Sequence, residues 1–317
     1  MQIQFQEQIK NETVKRRPDR RPRQTGPMIL RQLQAFSFTV PALVLLAIFL
    51  VYPIGYVVYL SFQRWNLLGI PQFIGLQNYN TILFRDSDFL QSVGTTILFV
   101  VLAIPTQLAL GLYLAVLLDD AFPGRALFRT TFFIPMVISF VAAGIVFERI
   151  FSTGDNLGVV PQLLANHGIA FPDWEHQNGF WAMIMIVVMN TWKSAGYSMI
   201  IYLAGLQSIS PEYYEAAQLD GAGSAWQRFR HISWPLLGPT TTLLIITNTI
   251  GSFRAFIPFY IMTNGGPAGS TTTLIFYIYN NYAGRTGVAS AAATLFLLGV
   301  LMITTVQFIV TRRREVY

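Results

Sequence analysis

The stretch EAAQLDGA, residues 215–222, lies in a polar segment, 206–235, between two long apolar runs. The run before it covers 179–205 and the run after it covers 236–262, and each exceeds the roughly 20 residues that cross a bilayer. A loop that only reversed the chain direction would need few residues. Segment 206–235 instead carries signals for two capped helices, so we interpret it as a docking surface between two membrane-spanning helices.

The composition indicates that a lipid bilayer is the solvent of most of the chain. Hydrophobic residues make up 53% of the 317 residues and charged residues only 11%, whereas soluble domains carry about 25% charged residues. One soluble core would not enclose this much apolar surface. The sequence therefore predicts an all-α polytopic membrane protein with six transmembrane helices. Their approximate ranges are 36–62, 91–118, 128–150, 179–205, 236–262 and 289–311.

Residues 1–34 differ from the rest of the chain because they are polar and basic. Eight of the 21 Lys and Arg lie before Gln32, and such segments bury too little apolar surface to fold. We expect a disordered basic arm at 1–34 and a transmembrane domain at 35–317. The run from Arg31 to Arg64 contains no charge and is far longer than the apolar core of a signal peptide, so it predicts a retained helix.

The distribution of positive charge predicts the orientation in the membrane. With an even number of spans, both termini lie on the same side. That side collects the arm, the loop 119–127 with nearby Arg129, segment 206–235 and Arg312–Arg314, with 15 Lys and Arg against four on the opposite side. The positive-inside rule then places both termini and segment 206–235 in the cytoplasm. A basic arm beside apolar spans is typical of contact with anionic lipid head groups, so no nucleic-acid partner is expected.

Segment 206–235 contains two helix signals with defined ends. Ser210 suits an N-cap, Pro211 suits the first helical position, and Gly221 suits the left-handed residue that ends a helix. A second helix is predicted to begin at Ser224, because Gln227 three residues later completes a capping box.

The residues around these two helices indicate how a partner would fit. Trp226 and Phe229 lie three apart on one helical face, and Pro235 is predicted to end the second helix before the next span. Glu215 and Asp220 offer hydrogen-bond acceptors to a basic partner. From these residues alone, a docking surface and an interfacial helix pair that only stabilises the turn are about equally good interpretations.

Four short motifs stand in order along the chain after the arm. They are FIGLQNY at 73–79, LAGLQSI at 203–209, EAAQLDGA at 215–222 with Phe229, Ile232, Pro235 and Pro239 behind it, and TNGGP at 263–267. Together they resemble the EAA-loop permeases of ATP-binding-cassette (ABC) importers, and the Asp-Gly-Ala form resembles the maltose-type carbohydrate branch. The resemblance covers nearly the whole chain after the arm.

The second short helix departs from the family pattern. Ten residues separate Gly221 from Ile232, one more than the pattern has, and Ser233-Trp234 stand where Thr-Leu is more usual. An extra residue near 223–225 would rotate the second helix by about 100° relative to the first. The first short helix is therefore the firmer expectation for the docking element.

The resemblance implies a division of labour between subunits. Segment 206–235 would be a coupling loop in a groove of a cytoplasmic ATPase, and an extracytoplasmic binding protein would deliver solute. The chain has no Gly-x-x-x-x-Gly-Lys-Ser/Thr phosphate loop, so ATP would be bound and hydrolysed by partner subunits, and no cofactor is expected in this chain. The expected partners are a second permease, usually a different chain, two ATPases, the binding protein and the lipid of a bacterial or archaeal cytoplasmic membrane. The predicted ATPase-coupling residues are Glu215, Ala216, Ala217, Asp220, Gly221, Phe229 and Pro235.

Two of the predicted spans carry polar stripes at helical spacing. Lys193 lies near the middle of the fourth span, where an ionisable residue is expensive and usually faces a cavity or a partner. The alternatives are a stripe packed against the partner permease, or a Lys193 that extends to the interface. Arg254, near the outer end of the fifth span, is interpreted as a snorkelling or subunit-contact residue. The predicted substrate-path residues are Asn190, Lys193, Ser194, Tyr197, Asn248 and Ser252.

Other classes of function fit this sequence less well. A secondary transporter would carry coupling carboxylates within its spans, but no Asp or Glu lies well inside a predicted span, and Glu148 is near the end of the third. An ABC permease for phosphate or an amino acid stays open as an alternative. His167, His176 and His231 lie scattered over loops without metal-ligand spacing, and the chain has no cysteine. We therefore expect neither a metal site nor an enzyme.

Overall fold

The first helix begins earlier than the sequence predicts. Residues 28–34, predicted as part of the arm, are helical, because helix α1 covers Met28–Leu46. Met, Leu, Arg and Gln are good helix formers, and no Gly or Pro interrupts the first three turns. The arm up to residue 27 lies outside the described residues. The computed structural model describes residues 28–154, 156–221 and 224–314.

The described residues form helices with short connections and one small β-ribbon. In chain order the helices are α1 (Met28–Leu46), α2 (Tyr52–Ser61), α3 (Gln77–Phe84), α4 (Ser87–Leu117), α5 (Arg125–Val137), α6 (Phe140–Phe151), α7 (Val159–Asn166), α8 (Gly179–Gln207), α9 (Pro211–Leu219), α10 (Ala225–Arg228), α11 (Trp234–Leu236), α12 (Gly238–Phe253), α13 (Ile257–Met262), α14 (Leu274–Asn281) and α15 (Thr286–Arg314). π-Helical turns at Ala47–Val51 and Phe229–Ser233 precede α2 and α11, and strands β1 (Gln63–Arg64) and β2 (Gln72–Phe73) pair antiparallel.

Four helical segments in the described part of the chain are long and apolar enough to cross a membrane, namely Phe36–Ser61, α4, α8 and Thr286–Thr311. Helices α5 and α6 reach that length only together, and they are bent by 100° at their junction. The predicted span 128–150 is therefore divided into two helices. The break occurs because Ile138 is extended and Ser139 starts a new helix by accepting a hydrogen bond from the Ala142 amide.

The predicted span 236–262 is also divided in the structure. Helix α12 has 16 residues, about 24 Å at 1.5 Å per residue, and a hydrocarbon core is roughly 30 Å thick. The chain leaves this helix at Arg254 and enters α13 at Ile257. Pro258 lies in the first turn of α13, where its missing N–H breaks no helical hydrogen bond.

Within residues 56–317, helices α4 and α8 form the central pair. A Cβ atom on Gly111 of α4 would overlap the Cβ of Ser198 on α8. The missing side chain therefore lets the two backbones approach closely, as small residues do between membrane helices. Thr106 and Thr191 share a hydrogen bond between their Oγ1 atoms, 2.9 Å apart, across the same interface.

A carboxylate at the start of α4 joins elements far apart in the chain. Asp86 caps α4 by accepting from the Phe89 amide, and it also accepts from the Tyr277 hydroxyl at 2.9 Å and from Arg285 at 3.0 Å. Burial raises the pKa of Tyr277, and the Asp86 carboxylate raises it further. The phenol therefore stays protonated and donates to Asp86. These contacts hold the ends of α4, α14 and α15 together.

Candidate functional site

Helix α9 and the turn after it form an exposed surface in segment 206–235. No residue of α9 is buried, and the apolar side chain of Leu219 is 91% exposed at its end. Leu219 and the exposed Tyr213 extend the predicted coupling surface, and neither was among the residues predicted from the sequence. Of the predicted coupling residues, those exposed are Glu215, Ala216, Asp220, Gly221 and Pro235, and those half-buried are Ala217 and Phe229.

The two ends of α9 differ in how they are capped. Gly221 has a φ of +89°, the left-handed conformation predicted for it, and its amide donates to the Gln218 carbonyl at 3.2 Å. A Cβ atom on Gly221 would meet no atom within 4 Å, so only the backbone conformation restricts this position. At the other end Pro211 occupies the first turn as predicted, but the Ser210 side chain makes no capping hydrogen bond.

The second short helix starts as predicted and ends differently. Ser224 and Gln227 form the capping box, with the Gln227 amide donating to Ser224 Oγ at 3.1 Å and the Ser224 amide donating to Gln227 Oε1 at 3.2 Å. The prediction that Pro235 ends this helix is wrong. The π-helical turn Phe229–Ser233 carries the helical path up to Trp234, and α11 continues through Pro235 in its first turn, where a missing N–H is tolerated. Ala222, part of the EAA-loop pattern, lies outside the described residues.

Side-chain contacts connect α9 to the helix that follows it. The hydroxyls of Tyr214 and Ser233 lie 3.0 Å apart. The rings of Trp226 and Phe229 stack at 5.7 Å between their centres and 27° between their planes, which confirms their predicted place on one face. Segment 206–235 therefore forms short helices that contact each other, and α9 is exposed to solvent.

A cavity of about 290 Å³ lies among α4, α6, α8 and α12. Its lining includes Arg254, at the break between α12 and α13, and Phe140. Two polar stripes, one on α8 and one on α12, meet here. Four of the predicted substrate-path residues line the cavity, namely Asn190, Ser194, Asn248 and Ser252.

Lys193 lies behind the wall of this cavity and does not line it. Its Nζ donates to the carbonyl oxygens of Pro135, Met136 and Ile138 and lies 4.5 Å from the centre of the Phe140 ring. These carbonyls belong to the end of α5, where the helix stops and leaves them without helical partners. The structure thus gives Lys193 a different position from the predicted one, as the cap of the broken helix.

The structure also separates Tyr197 from the cavity and adds two residues to it. Tyr197 packs against the apolar cluster between α4, α8 and α12. Gln107 and Arg254 line the cavity but were not predicted as path residues. Gln107 is 2% exposed, and its Nε2 has no hydrogen-bond partner among the described residues. Its polar side chain inside the predicted span 91–118 was the signal that could have identified it.

Residues 87–316, from α4 to α15, match the family model described as the inner membrane component of binding-protein-dependent transport systems. The chain belongs to this family. The resemblance predicted from the EAA-loop motifs is therefore confirmed, and the protein is a multi-pass inner-membrane permease of an ABC transporter. Helix α9 and the cavity both lie within the matched residues.

Curated relatives of this permease match over most of their length. It is 37% identical to the lactose transport system permease protein LacF of Rhizobium radiobacter over 281 residues, which are 87% of this chain and 92% of that protein. It is 34% identical to the sulfoquinovosyl glycerol transport system permease protein SmoG of Agrobacterium fabrum over 288 residues, 90% of this chain and 92% of that protein.

The fold of the permease is also found among solved structures. It matches a chain of a bacterial alginate ABC transporter in complex with its alginate pentasaccharide-bound periplasmic protein. The TM-score is 0.78 at 25% sequence identity, and the match covers 90% of this chain and 96% of that chain. The mainly helical fold with several membrane-crossing helices is therefore that of an ABC importer permease.

Proposed function

We propose that this chain is the permease subunit of an ABC importer that moves a sugar or sugar-like solute into the cytoplasm, driven by separate ATPase subunits through segment 206–235. The family match over residues 87–316 supports the transporter class. Two relatives, 37% and 34% identical, are named for lactose and for sulfoquinovosyl glycerol, and they support the solute class. A permease for a non-sugar solute is the alternative.

The observation that carries the proposal is the uncovered helix α9. An isolated helix of fewer than about 12 residues is marginal in water, and helices in proteins gain most of their stability from packing. Helix α9 has nine residues and none of them is buried. Ala216 and Ala217 allow a close approach, Leu219 offers an apolar contact, and Glu215 and Asp220 offer acceptors. In this proposal the partner that covers the exposed face of α9 is the ATPase. Gly221, Phe229 and Pro235 hold that face in position.

The energy for transport comes from another polypeptide in this proposal. A phosphate loop requires Gly-Lys followed by Ser or Thr, and its backbone amides and lysine hold the phosphates of ATP. The lysines of this chain are Lys10, Lys15 and Lys193, and none of them follows a glycine. ATP is therefore bound and hydrolysed by two partner ATPases, and this subunit converts their movement into a change of access across the membrane.

The membrane topology that we propose has six spans with both termini in the cytoplasm. Four long helices, the bent pair α5–α6 and the divided pair α12–α13 supply the six. The orientation rests on 15 Lys and Arg on the proposed cytoplasmic side against four outside. It places the arm 1–34 and segment 206–235 in the cytoplasm, and the six spans of domain 35–317 in the membrane.

The remaining partners follow from this topology. A second permease subunit, of a different chain, pairs with this one, and an extracytoplasmic binding protein delivers solute to the outer loops. Solute then passes through the cavity of about 290 Å³, whose donors are suited to hydroxyl-rich molecules. Reconstitution of the complete complex, followed by a screen of sugars, phosphate and amino acids for stimulated ATP hydrolysis, tests the proposal. Stimulation by no solute of any class would overturn it.

Charge reversal at Glu215 is expected to weaken coupling to the ATPases. Glu215→Arg places a cation on the docking face, where like-charge contact with a basic partner is unfavourable. We expect solute-stimulated ATP hydrolysis by the reconstituted complex to fall at least about tenfold, which corresponds to about 1.4 kcal/mol. Glu212→Arg, on the first turn of the same exposed helix, is the matched control and is expected to change the rate about twofold at most. Equal effects of the two substitutions would contradict the assignment of Glu215.

A further inference from the structure

We propose that the solute of this permease carries a negative charge, which Arg254 binds in the cavity among α4, α6, α8 and α12. This inference rests on the proposed function and narrows it to sugar-like solutes with an anionic group such as a carboxylate, sulfonate or phosphate. It is carried by three features of the cavity, each judged among the residues that the structure describes: a cation without an ion-pair partner, a buried donor without a hydrogen-bond partner, and a lining without carboxylates.

Arg254 is a cation without a carboxylate partner among the described residues. The ion pairs in this part of the chain are Arg149–Glu148, His176–Asp173 and Arg285–Asp86. Residues 221–314 contain no Asp or Glu, so the elements that follow segment 206–235 offer Arg254 no internal counter-ion. Arginine binds planar carboxylates and the oxygens of phosphate or sulfonate with two parallel hydrogen bonds, and it stays charged in proteins.

A second positive charge lies behind one wall of the same cavity. Lys193 Nζ is 4.5 Å from the centre of the Phe140 ring, and Phe140 lines the cavity. The carbonyl oxygens at the end of α5 are hydrogen-bonded to this ammonium, but they carry no net charge that cancels it. A cleft with charges of one sign and walls of low dielectric attracts ions of the opposite sign.

The hydrogen-bonding groups of the cavity favour an acceptor-rich ligand. The buried Nε2 of Gln107 is without a partner among the described residues, and a buried donor of this kind is costly until an acceptor reaches it. None of the described lining residues is acidic, so an anionic group meets no like charge there. An anionic group supplies several acceptor oxygens and neutralises Arg254 in one contact.

The apolar part of the lining explains why the rest of the solute is sugar-like. The rings of Phe140 and Phe256 line the same cavity as the amides of Asn190 and Asn248. Sugar rings present C–H faces that pack on aromatic rings and hydroxyl edges that hydrogen-bond to amides. The cavity therefore combines a site for a ring with a site for one negative charge.

Uptake of a matched pair of solutes by the reconstituted importer tests this inference. The probes are a neutral disaccharide and the same disaccharide with one ring oxidised to a glucuronate, at equal concentrations below saturation. We expect the wild-type complex to take up the charged probe at least about tenfold faster. Arg254→Gln is expected to lower uptake of the charged probe by at least about tenfold, the lower end for a lost charged hydrogen bond, and that of the neutral probe by less than about threefold.

Arg149→Gln is the matched control, because it removes one arginine charge from an exposed side chain outside the cavity. It is expected to retain the preference of the wild type. Faster or equal uptake of the neutral probe by the wild type would overturn the inference, as would an equal loss of both probes in Arg254→Gln with unchanged thermal stability. If the proposed function itself were wrong, no solute of any class would stimulate ATP hydrolysis. That result can be told apart from the two results above, in which uptake still occurs.

Discussion

Replacement of Gly221 by valine is expected to abolish solute-stimulated ATP hydrolysis and solute uptake while leaving membrane insertion intact. Gly221 has a φ of +89° at the end of α9, a conformation in which a β-branched residue is strained. Such strain costs of order 1–3 kcal/mol, which the turn would relieve by changing the direction of α9. We expect stimulated ATP hydrolysis by the complete complex to fall at least about 30-fold.

Two further substitutions separate the conformation of this turn from the volume of the new side chain. Gly221→Asn is expected to retain most of the activity, because asparagine adopts left-handed backbone conformations more readily than valine does. Gly299→Val adds the same side chain in open space on α15, at a position without a positive φ, and is expected to couple normally. Wild-type stimulation in Gly221→Val would refute the role of the turn in coupling.

Replacement of Lys193 by methionine is expected to lower the free energy of unfolding by about 3 kcal/mol. The ammonium donates to three carbonyl oxygens at the end of α5, and hydrogen bonds to charged groups contribute about 1.5–3 kcal/mol each. The loss is partly offset because methionine needs no desolvation of a charge. Thermal unfolding of the purified permease in detergent measures the change, and Lys193→Arg, which keeps the charge, is expected to lose less.

Tyr197→Phe is the control for this substitution, since it alters a neighbouring residue of the same stripe that packs against an apolar cluster. It is expected to change the free energy of unfolding by less than about 1 kcal/mol. A Lys193→Met variant with wild-type stability and no uptake would reverse the assignment. It would favour the solute-facing role that the sequence predicted for Lys193.

Local signals in the sequence were sufficient to predict where the first short helix of segment 206–235 ends and where the second begins. Gly221 is left-handed and Ser224 and Gln227 form the capping box because these preferences depend on residues within one turn. Pro235 was predicted wrongly, because the helical path continues through the π-helical turn Phe229–Ser233 and Pro235 lies in the first turn of α11, where a missing N–H is tolerated. Nothing in the local sequence indicates the π-helical turn.

The set of residues that line the cavity depends on contacts between elements far apart in the chain, and the sequence does not reveal those contacts. The stripe on α8 is about 100° wide, and only Asn190 and Ser194 of its four residues face the cavity. Lys193 is directed to the end of α5, more than fifty residues earlier in the chain, because α5 is broken there. Arg254 reaches the cavity because α12 ends at Phe253, just before it. Hydropathy alone predicts one continuous span across this break.

The most direct test of coupling through segment 206–235 uses the absence of cysteine from this chain. Ala216→Cys places a single thiol on the exposed face of α9. Its reaction with a membrane-impermeant maleimide is followed in oriented vesicles, with and without the ATPase subunits. We predict reaction only from the cytoplasmic face, and a rate at least about tenfold lower when the ATPases are bound. Reaction from the outer face, or the same rate with and without the ATPases, would contradict the account.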